Sequence, residues 1–390
     1  IVPDHMSHQH QPKLDKIHER NSALETALAS ESRRSSLILG LRAQAPDIFY
    51  NLPSKFDPKF KNPCWEGEAR LQCLPYYYVT GCEALVVNSV LAKHHDVDVV
   101  SAQTARFWEE AHPWQWFLNS LDQATYHIRY NPARGVIGGA SDSMFAYASA
   151  GVRGKLLASA AGKTIRLPQV LQAVHTSQKL VVMLQEPGAR LFEAYWRIGC
   201  TQGTQAIPEW DLDTAAQGFH EYAERLVEVF EACATLHGSN ECAVRGLSEQ
   251  LNQGMYSVLL RQWFDAFKRD QIQVVQTERF YNKPAGELHK MFVFLELADP
   301  SDWKPIYQGL SKIHSDRNER RGICGGYSDP SEILPATRQM LDSFYRPFNH
   351  ALARLLDDDT FLWDYGAYPG TLADRILDAG QRAVDFHVRR

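Results

Sequence analysis

Three short apolar runs, each followed by a segment with helical spacing, constrain most tightly how this chain can fold. LPYYYVTG (residues 74–81) is β-rich and ends in Gly81, and ALVVNSVLAKHHDV (84–97) follows it with apolar residues at helical intervals. QKLVVMLQEP (178–187) is stopped by Pro187 and leads into RLFEAYWRIG (190–199). QIQVVQTERF (271–280) precedes AGELHKMFVFLELA (285–298). Strands that alternate with helices, and that are apolar on both faces, predict a mostly parallel sheet covered by helices on both sides. Residues 201–260 read as mainly helical, and LPATRQMLDSFYRPFNHALARLL (334–356) as a helix packed on the body.

A chain of 390 residues, 44% of them hydrophobic, can bury one large core or two closely joined ones. The segment 1–45 reads as a charged, helix-prone N-terminal arm or tag remnant, and 46–390 as the folded domain. DIFYNLPSKFDPKFKNPCW (47–65), rich in Pro and aromatics, is expected to run extended over the surface. The net charge of −5 and the lack of a long basic run argue against a nucleic-acid surface. No apolar run reaches the roughly 20 residues of a membrane span. No secretory signal is visible either.

Seven cysteines are present. Cys64 and Cys73 flank one turn-prone segment, and Cys233 and Cys242 flank another. Each pair can close a small loop as a disulfide, which implies an oxidising compartment; the alternative is four unrelated buried thiols. Neither spacing is that of a zinc ribbon or a redox CxxC site. Cys82, Cys200 and Cys324 are left over. AAGKT (160–164) mimics the end of a nucleotide P-loop, but the position five residues before Gly162 holds Leu157 rather than Gly.

The stretches DIFYNLPSKFDPKFKNPCW, CLPYYYVTG, LVVMLQEPGARLFEAYW, LNQGMYSVLLRQWFDAF, IQVVQTERFYNKP and LPATRQMLDSFYRPFNHALARLL, in this order, resemble the carbohydrate sulfotransferases. The N-acetylgalactosamine 4-sulfate 6-O-sulfotransferase type is the most similar. The resemblance spans about residues 46–363 and implies a sulfotransferase-like (P-loop NTPase-like) α/β fold, a sugar substrate and a secretory setting, Golgi lumen or extracellular matrix. It also places cysteines at the two proposed disulfides.

Three parts of that family's machinery are changed. A loop of the type PKCGTT, which cradles the 5′-phosphosulfate of the donor PAPS, is replaced by CEALVVNS, with Glu83 where the dianion would sit. The Arg that the resemblance assigns to the donor's 3′-phosphate is Gln185, and the Ser sharing that phosphate is Glu193. The motif of the type KExH, whose Glu is the base, corresponds to Gln103, Thr104, Ala105 and Arg106. The resemblance therefore predicts the scaffold without PAPS binding, and no cofactor is expected.

A sulfated polysaccharide remains the expected partner. The reaction nearest to hand is the galactose-6-sulfurylase type, which eliminates a galactose 6-sulfate by cyclisation to 3,6-anhydrogalactose, as in carrageenan formation. It needs a base, a cation for departing sulfate and a wall for the inverted chair. Arg106 is the candidate clamp, or else a helix cap. His112, among Trp108, Trp114 and Trp116, is the candidate base, or else a structural turn residue, with Glu109 behind it. The tryptophans are candidate stacking walls, or else core. His127 and Arg129, alternating in TYHIRYNP, can line a groove. Arg190 and Glu193 are further candidates, although Glu193 is also placed to pair with Arg190 or Arg197 on its own helix. His94 and His95 read as structural. Two alternatives stand beside this reading: a non-catalytic binder of sulfated polysaccharide, and a PAPS-dependent sulfotransferase with an atypical donor loop.

Overall fold

A computed structural model describes residues 53, 56–66, 71–99, 135–141, 144–146, 157–158, 164–202, 212–245, 249–319 and 333–363. In chain order the elements are strands β1 (Cys64–Glu66), β2 (Leu71–Cys73) and β3 (Tyr77–Gly81), helix α1 (Ala84–Leu91), then β4 (Val97–Val99), β5 (Val136–Ser141), β6 (Leu157–Ala158) and β7 (Thr164–Ile165). Next come α2 (Leu167–Val174), β8 (Lys179–Leu184), α3 (Pro187–Gln202), α4 (Leu212–His237), α5 (Ser239–Arg245), α6 (Glu249–Asn252) and α7 (Tyr256–Phe264). The last are β9 (Ile272–Gln276), α8 (Thr277–Asn282), α9 (Pro284–Phe294), α10 (Lys304–Glu319) and α11 (Pro335–Leu356).

The expected α/β architecture is what forms. Five strands pair in the order β4-β5-β3-β8-β9, and every pairing is parallel. The three predicted runs are β3, β8 and β9, side by side, and all five residues of β3 are buried. Alternation along each strand divides the core in two. Val79, Val181, Met183 and Val275 face α1, α8, α9 and α10. Tyr78, Leu180, Val182, Leu184 and Ile272 face α2, α7 and the end of α11. A third cluster joins α3, α4 and α5 to α11, through Phe192, Phe219, Phe230 and Tyr345.

β4 and β5 were not expected from sequence. β4 has three residues, and β5 carries Gly138 and Gly139, which weaken any strand signal. The glycines have a packing cause. A Cβ on Gly138 would lie 2.2 Å from the Tyr77 ring, and one on Gly139 would lie 2.4 Å from Tyr78.

The segment before β1 departs from expectation. Asn62, Pro63, Cys64 and Trp65 are buried rather than draped over the surface. The Asn62 side chain donates to the Gly135 carbonyl (3.0 Å) and accepts from the Ile137 amide (2.7 Å), so its polar ends are satisfied inside. Lys61 and Lys179 reach the end of α9, donating to the carbonyls of Leu295, Glu296 and Phe294, where a helix dipole favours cations.

Both expected disulfides form. Cys64 and Cys73 are opposite each other in the β1–β2 ladder and are bonded. Cys233 and Cys242 are bonded across the turn at Gly238 between α4 and α5. The boundary expected at residues 45 and 46 lies outside the described residues. No described helix is long and apolar enough to cross a membrane. Thr164 of AAGKT belongs to a two-residue antiparallel strand rather than a helix start, while Gly162 and Lys163 are outside the described residues.

Gly81 sets the exit of β3. Its φ is +90°, and a Cβ there would lie 2.2 Å from the carbonyl oxygen of Met183. Gly81→Ala is expected to cost roughly 3 kcal/mol or more through combined strain and backbone clash. Urea unfolding should show this as a lower midpoint at unchanged slope.

Candidate functional site

In parallel α/β sheets, ligands bind beyond the carboxyl ends of the strands, where the strand order reverses. Here the chain leaves β3 towards β4 and β5 on one side and later adds β8 and β9 on the other. The exits of β3 and β8 therefore define the candidate site.

β3 passes into α1 through only Cys82 and Glu83. The Cys82 amide donates to Met183 O (3.0 Å), and Glu83 is held in the left-handed region at φ 59°. This turn carries no lysine, and the side chain beside the α1 amino end is a carboxylate. Such a turn suits an anion poorly.

The exit of β8 is built from polar groups that are buried and paired. Gln185 is 2% exposed and Glu193 8%. The Gln185 amide donates to the Glu193 carboxylate at 3.0 Å. Tyr256 of α7 donates its hydroxyl to the Gln185 carbonyl at 2.9 Å, and burial holds its pKa well above the usual range. Glu186 lies just before Pro187, and its carboxylate accepts from the amides of Gly188 and Ala189 (2.6 Å to Ala189), capping α3.

At the exit of β9, Glu278 accepts from the Glu186 amide (2.7 Å) and from the Trp363 indole (3.3 Å). Burial, with the Glu186 charge as a lesser cause, pushes its pKa up to about 7. Asp342 of α11 is pushed up to about 6 by burial and then by Glu186, against the opposing pull of Arg338 and Arg346. The site end of the sheet thus holds Glu186, Glu193 and Glu278 together with Asp342.

Arg190 donates to the Gln253 side chain (3.2 Å) and to the Gln250 carbonyl, so it ties α3 to α6 and the residue after it. Its Nε is buried without a hydrogen-bond partner among the described residues. Arg106, Trp108, Glu109, His112, Trp114, Trp116, His127 and Arg129 lie outside the described residues, as do Gln103, Thr104 and Ala105. The expected structural role of His94 is met: its Nε2 faces Ala298 O (2.9 Å), and its Nδ1 accepts from the Asp96 amide (3.0 Å). Among the described residues, His94, His95 and Asp96 are the group with metal-ligand spacing, and both His94 nitrogens are committed to the fold.

Sequence reasoning missed Glu186, Tyr256, Glu278, Asp342 and Trp363. The Glu-Pro pair at 186–187 is a readable helix-start signal. The rest are brought in by tertiary contacts.

No family model matches the chain. It is 23% identical to carbohydrate sulfotransferase 15 of Mus musculus over 409 residues, covering 83% of this chain and 68% of that protein. Carbohydrate sulfotransferase 15 of Homo sapiens is 22% identical, covering 92% of this chain and 76% of that protein. Heparan sulfate glucosamine 3-O-sulfotransferase 6 of Mus musculus is 25% identical over 52% of this chain and 54% of that protein. Among solved structures, a sulfotransferase from Alicyclobacillus acidocaldarius superposes with a TM-score of 0.44 at 15% identity, covering 73% of this chain and 96% of that one.

Tyr256→Phe removes the only hydroxyl donor described on the Gln185 carbonyl and leaves that carbonyl buried. The expected loss is about 1–2 kcal/mol in chemical denaturation, the usual cost of an orphaned buried acceptor.

Proposed function

We propose that this chain, a sequence relative of the carbohydrate sulfotransferases, is a carbohydrate-modifying enzyme that handles a sulfuryl group on a glycan. In the finer reading it works without PAPS and removes a galactose 6-sulfate from a sulfated galactan by cyclisation. One observation carries that finer reading: the buried Gln185–Glu193 pair occupies the end of β8, where the resemblance expects an Arg and a Ser for the donor's 3′-phosphate. A neutral amide bonded to a carboxylate offers no positive charge to a phosphate, and the carboxylate repels it.

The reaction balances without another reagent. The 3-hydroxyl oxygen of galactose attacks carbon 6 of the same ring, the bond from carbon 6 to the sulfate oxygen breaks, and sulfate leaves with the electron pair. The hydroxyl proton passes to a base, for which His112 is first choice and Glu109 second. Arg106 neutralises the departing sulfate, and Trp108, Trp114 or Trp116 holds the inverted chair. His127, Arg129, Arg190 and Glu193 are the further candidates for contact with the glycan. Because the nucleophile is on the same ring, its effective concentration is high once the chair inverts. The two disulfides fit a place in the secretory pathway, Golgi lumen or extracellular matrix.

The similarity to named sulfotransferases favours a second reading directly: PAPS-dependent transfer to a sugar hydroxyl, with an atypical donor loop. Two measurements separate the readings. Incubation with a 6-sulfated galactan and no donor is expected to release sulfate and 3,6-anhydrogalactose in equal amounts, unaffected by chelators. Arg106→Ala and His112→Ala should each lower the rate by roughly 100-fold or more with the fold intact. Sulfate released with plain galactose would make the enzyme a hydrolase, and no release from any such galactan would end the cyclisation reading.

Calorimetry with the desulfated donor PAP should show no binding to the parent chain, and measurable affinity should appear in the double variant Gln185→Arg, Glu193→Ser. Micromolar binding to the parent would establish the PAPS-dependent reading instead.

A further inference from the structure

Helix α2 starts with a cation at its positive end. Arg166 is its N-cap residue, and no acidic residue lies in its first turn. The amino end of a helix favours negative charge, so a guanidinium there is unfavourable unless an anion joins it. Pro168 has no N–H, and the Gln169 amide is spent on the Arg166 carbonyl (3.0 Å), which leaves the Arg166 side chain as the main donor. That side chain is partly buried and donates to Oε1 of Gln262 on α7. Among the described residues no carboxylate forms an ion pair with it.

The Gln262 amide is satisfied at one end only. Gln262 is 8% exposed, and its Nε2 is sealed from water without a hydrogen-bond partner. A buried N–H without an acceptor is costly, and so is a partly buried cation without an anion. Both deficits fall on one bonded pair of side chains. The pair lies towards the site end of the sheet: α2 leads to the start of β8, so its own amino end points towards the carboxyl ends of the strands. Trp263, the next residue on α7, donates its indole N–H to the Phe145 carbonyl (3.1 Å), and the Phe145 amide donates to Thr80 Oγ1 (2.8 Å), one residue before Gly81.

We propose that Arg166 and the Gln262 amide form a binding site for a sulfuryl oxyanion, carried either as a sulfate ester on the glycan or as free sulfate. The tetrahedral oxyanion accepts charge-assisted hydrogen bonds from the guanidinium and a neutral one from Gln262 Nε2. Its charge also meets the positive end of α2. It enters beside Arg166, the more open member of the pair, and a small rotation of the Gln262 amide brings Nε2 to it. The glycan-borne source rests on the function proposed above; the oxyanion site itself does not.

Calorimetry on the full chain at constant ionic strength tests this with sodium sulfate, a 6-sulfated galactan oligosaccharide and the same oligosaccharide desulfated, each against sodium chloride. Saturable sulfate binding is expected in the parent chain, and Arg166→Gln should weaken it by about tenfold or more, the usual worth of a charge-assisted contact. Gln262→Glu sets a carboxylate beside Arg166 in nearly the same volume, so it should weaken binding as much by supplying the counter-charge from within. If the glycan carries the anion, the sulfated oligosaccharide should bind more tightly than sulfate, and its desulfated form about tenfold more weakly. Binding of sulfate alone upholds the oxyanion site and removes only its glycan source. No saturable response to sulfate or to the sulfated oligosaccharide in the parent chain overturns the proposal, and so does unchanged binding in Arg166→Gln. If Arg166→Gln does not fold, unchanged binding in Gln262→Glu overturns it.

Discussion

The parallel pairing of β3 with β8 is the constraint on which the site end of the molecule depends. It runs from Tyr77 opposite Lys179 to Gly81 opposite Met183, and at Gly81 the two backbones are too close for a side chain. That closeness sends the chain out of β3 at positive φ, and the Cys82 amide is then taken up by Met183. The strand therefore turns into α1 within two residues, with Glu83 at the turn. On the other side of β8 the ladder to β9 places Leu184 opposite Gln276. The residues that follow each strand, Gln185 and Glu186 on one and Thr277 and Glu278 on the other, consequently emerge side by side.

What emerges there is negative and largely satisfied from within. The Glu186 charge is used on the amides of α3, Glu193 accepts from Gln185, and Glu278 accepts from an amide and an indole. Each group has a fold-level partner, which explains how carboxylates are tolerated at low exposure. The same arrangement leaves little that would attract a phosphate. A family scaffold can keep its strands while its site changes, since fold and chemistry are specified by different residues. The similarity to carbohydrate sulfotransferases over most of the chain and the carboxylates that follow β3 and β8 are therefore compatible observations.

The burial of both sheet faces made β3, β8 and β9 readable in advance. Runs such as LVVML have no polar alternation to confuse them, because both faces meet helices. The two disulfides were readable because each closes nine residues of sequence around a turn. β4 and β5 escaped notice because one is too short and the other spends two positions on glycines that exist for the tyrosines of β3. Asn62 reads as surface because a polar residue between prolines looks exposed until its two partners at the start of β5, Gly135 and Ile137, are known.

By itself the sequence determined the strands β3, β8 and β9 with the helices that follow them, the parallel sheet class and the two candidate cysteine pairs. These are local in the chain: periodicity within a strand or helix, and spacing across a turn. The meeting of Glu186, Glu278 and Trp363 was decided only by the tertiary structure. Glu186 and Glu278 are 92 residues apart, and Glu278 and Trp363 are 85 apart. They touch because parallel crossovers return each strand to the same end of the sheet, and because α11 doubles back across that end. No local pattern carries such a contact.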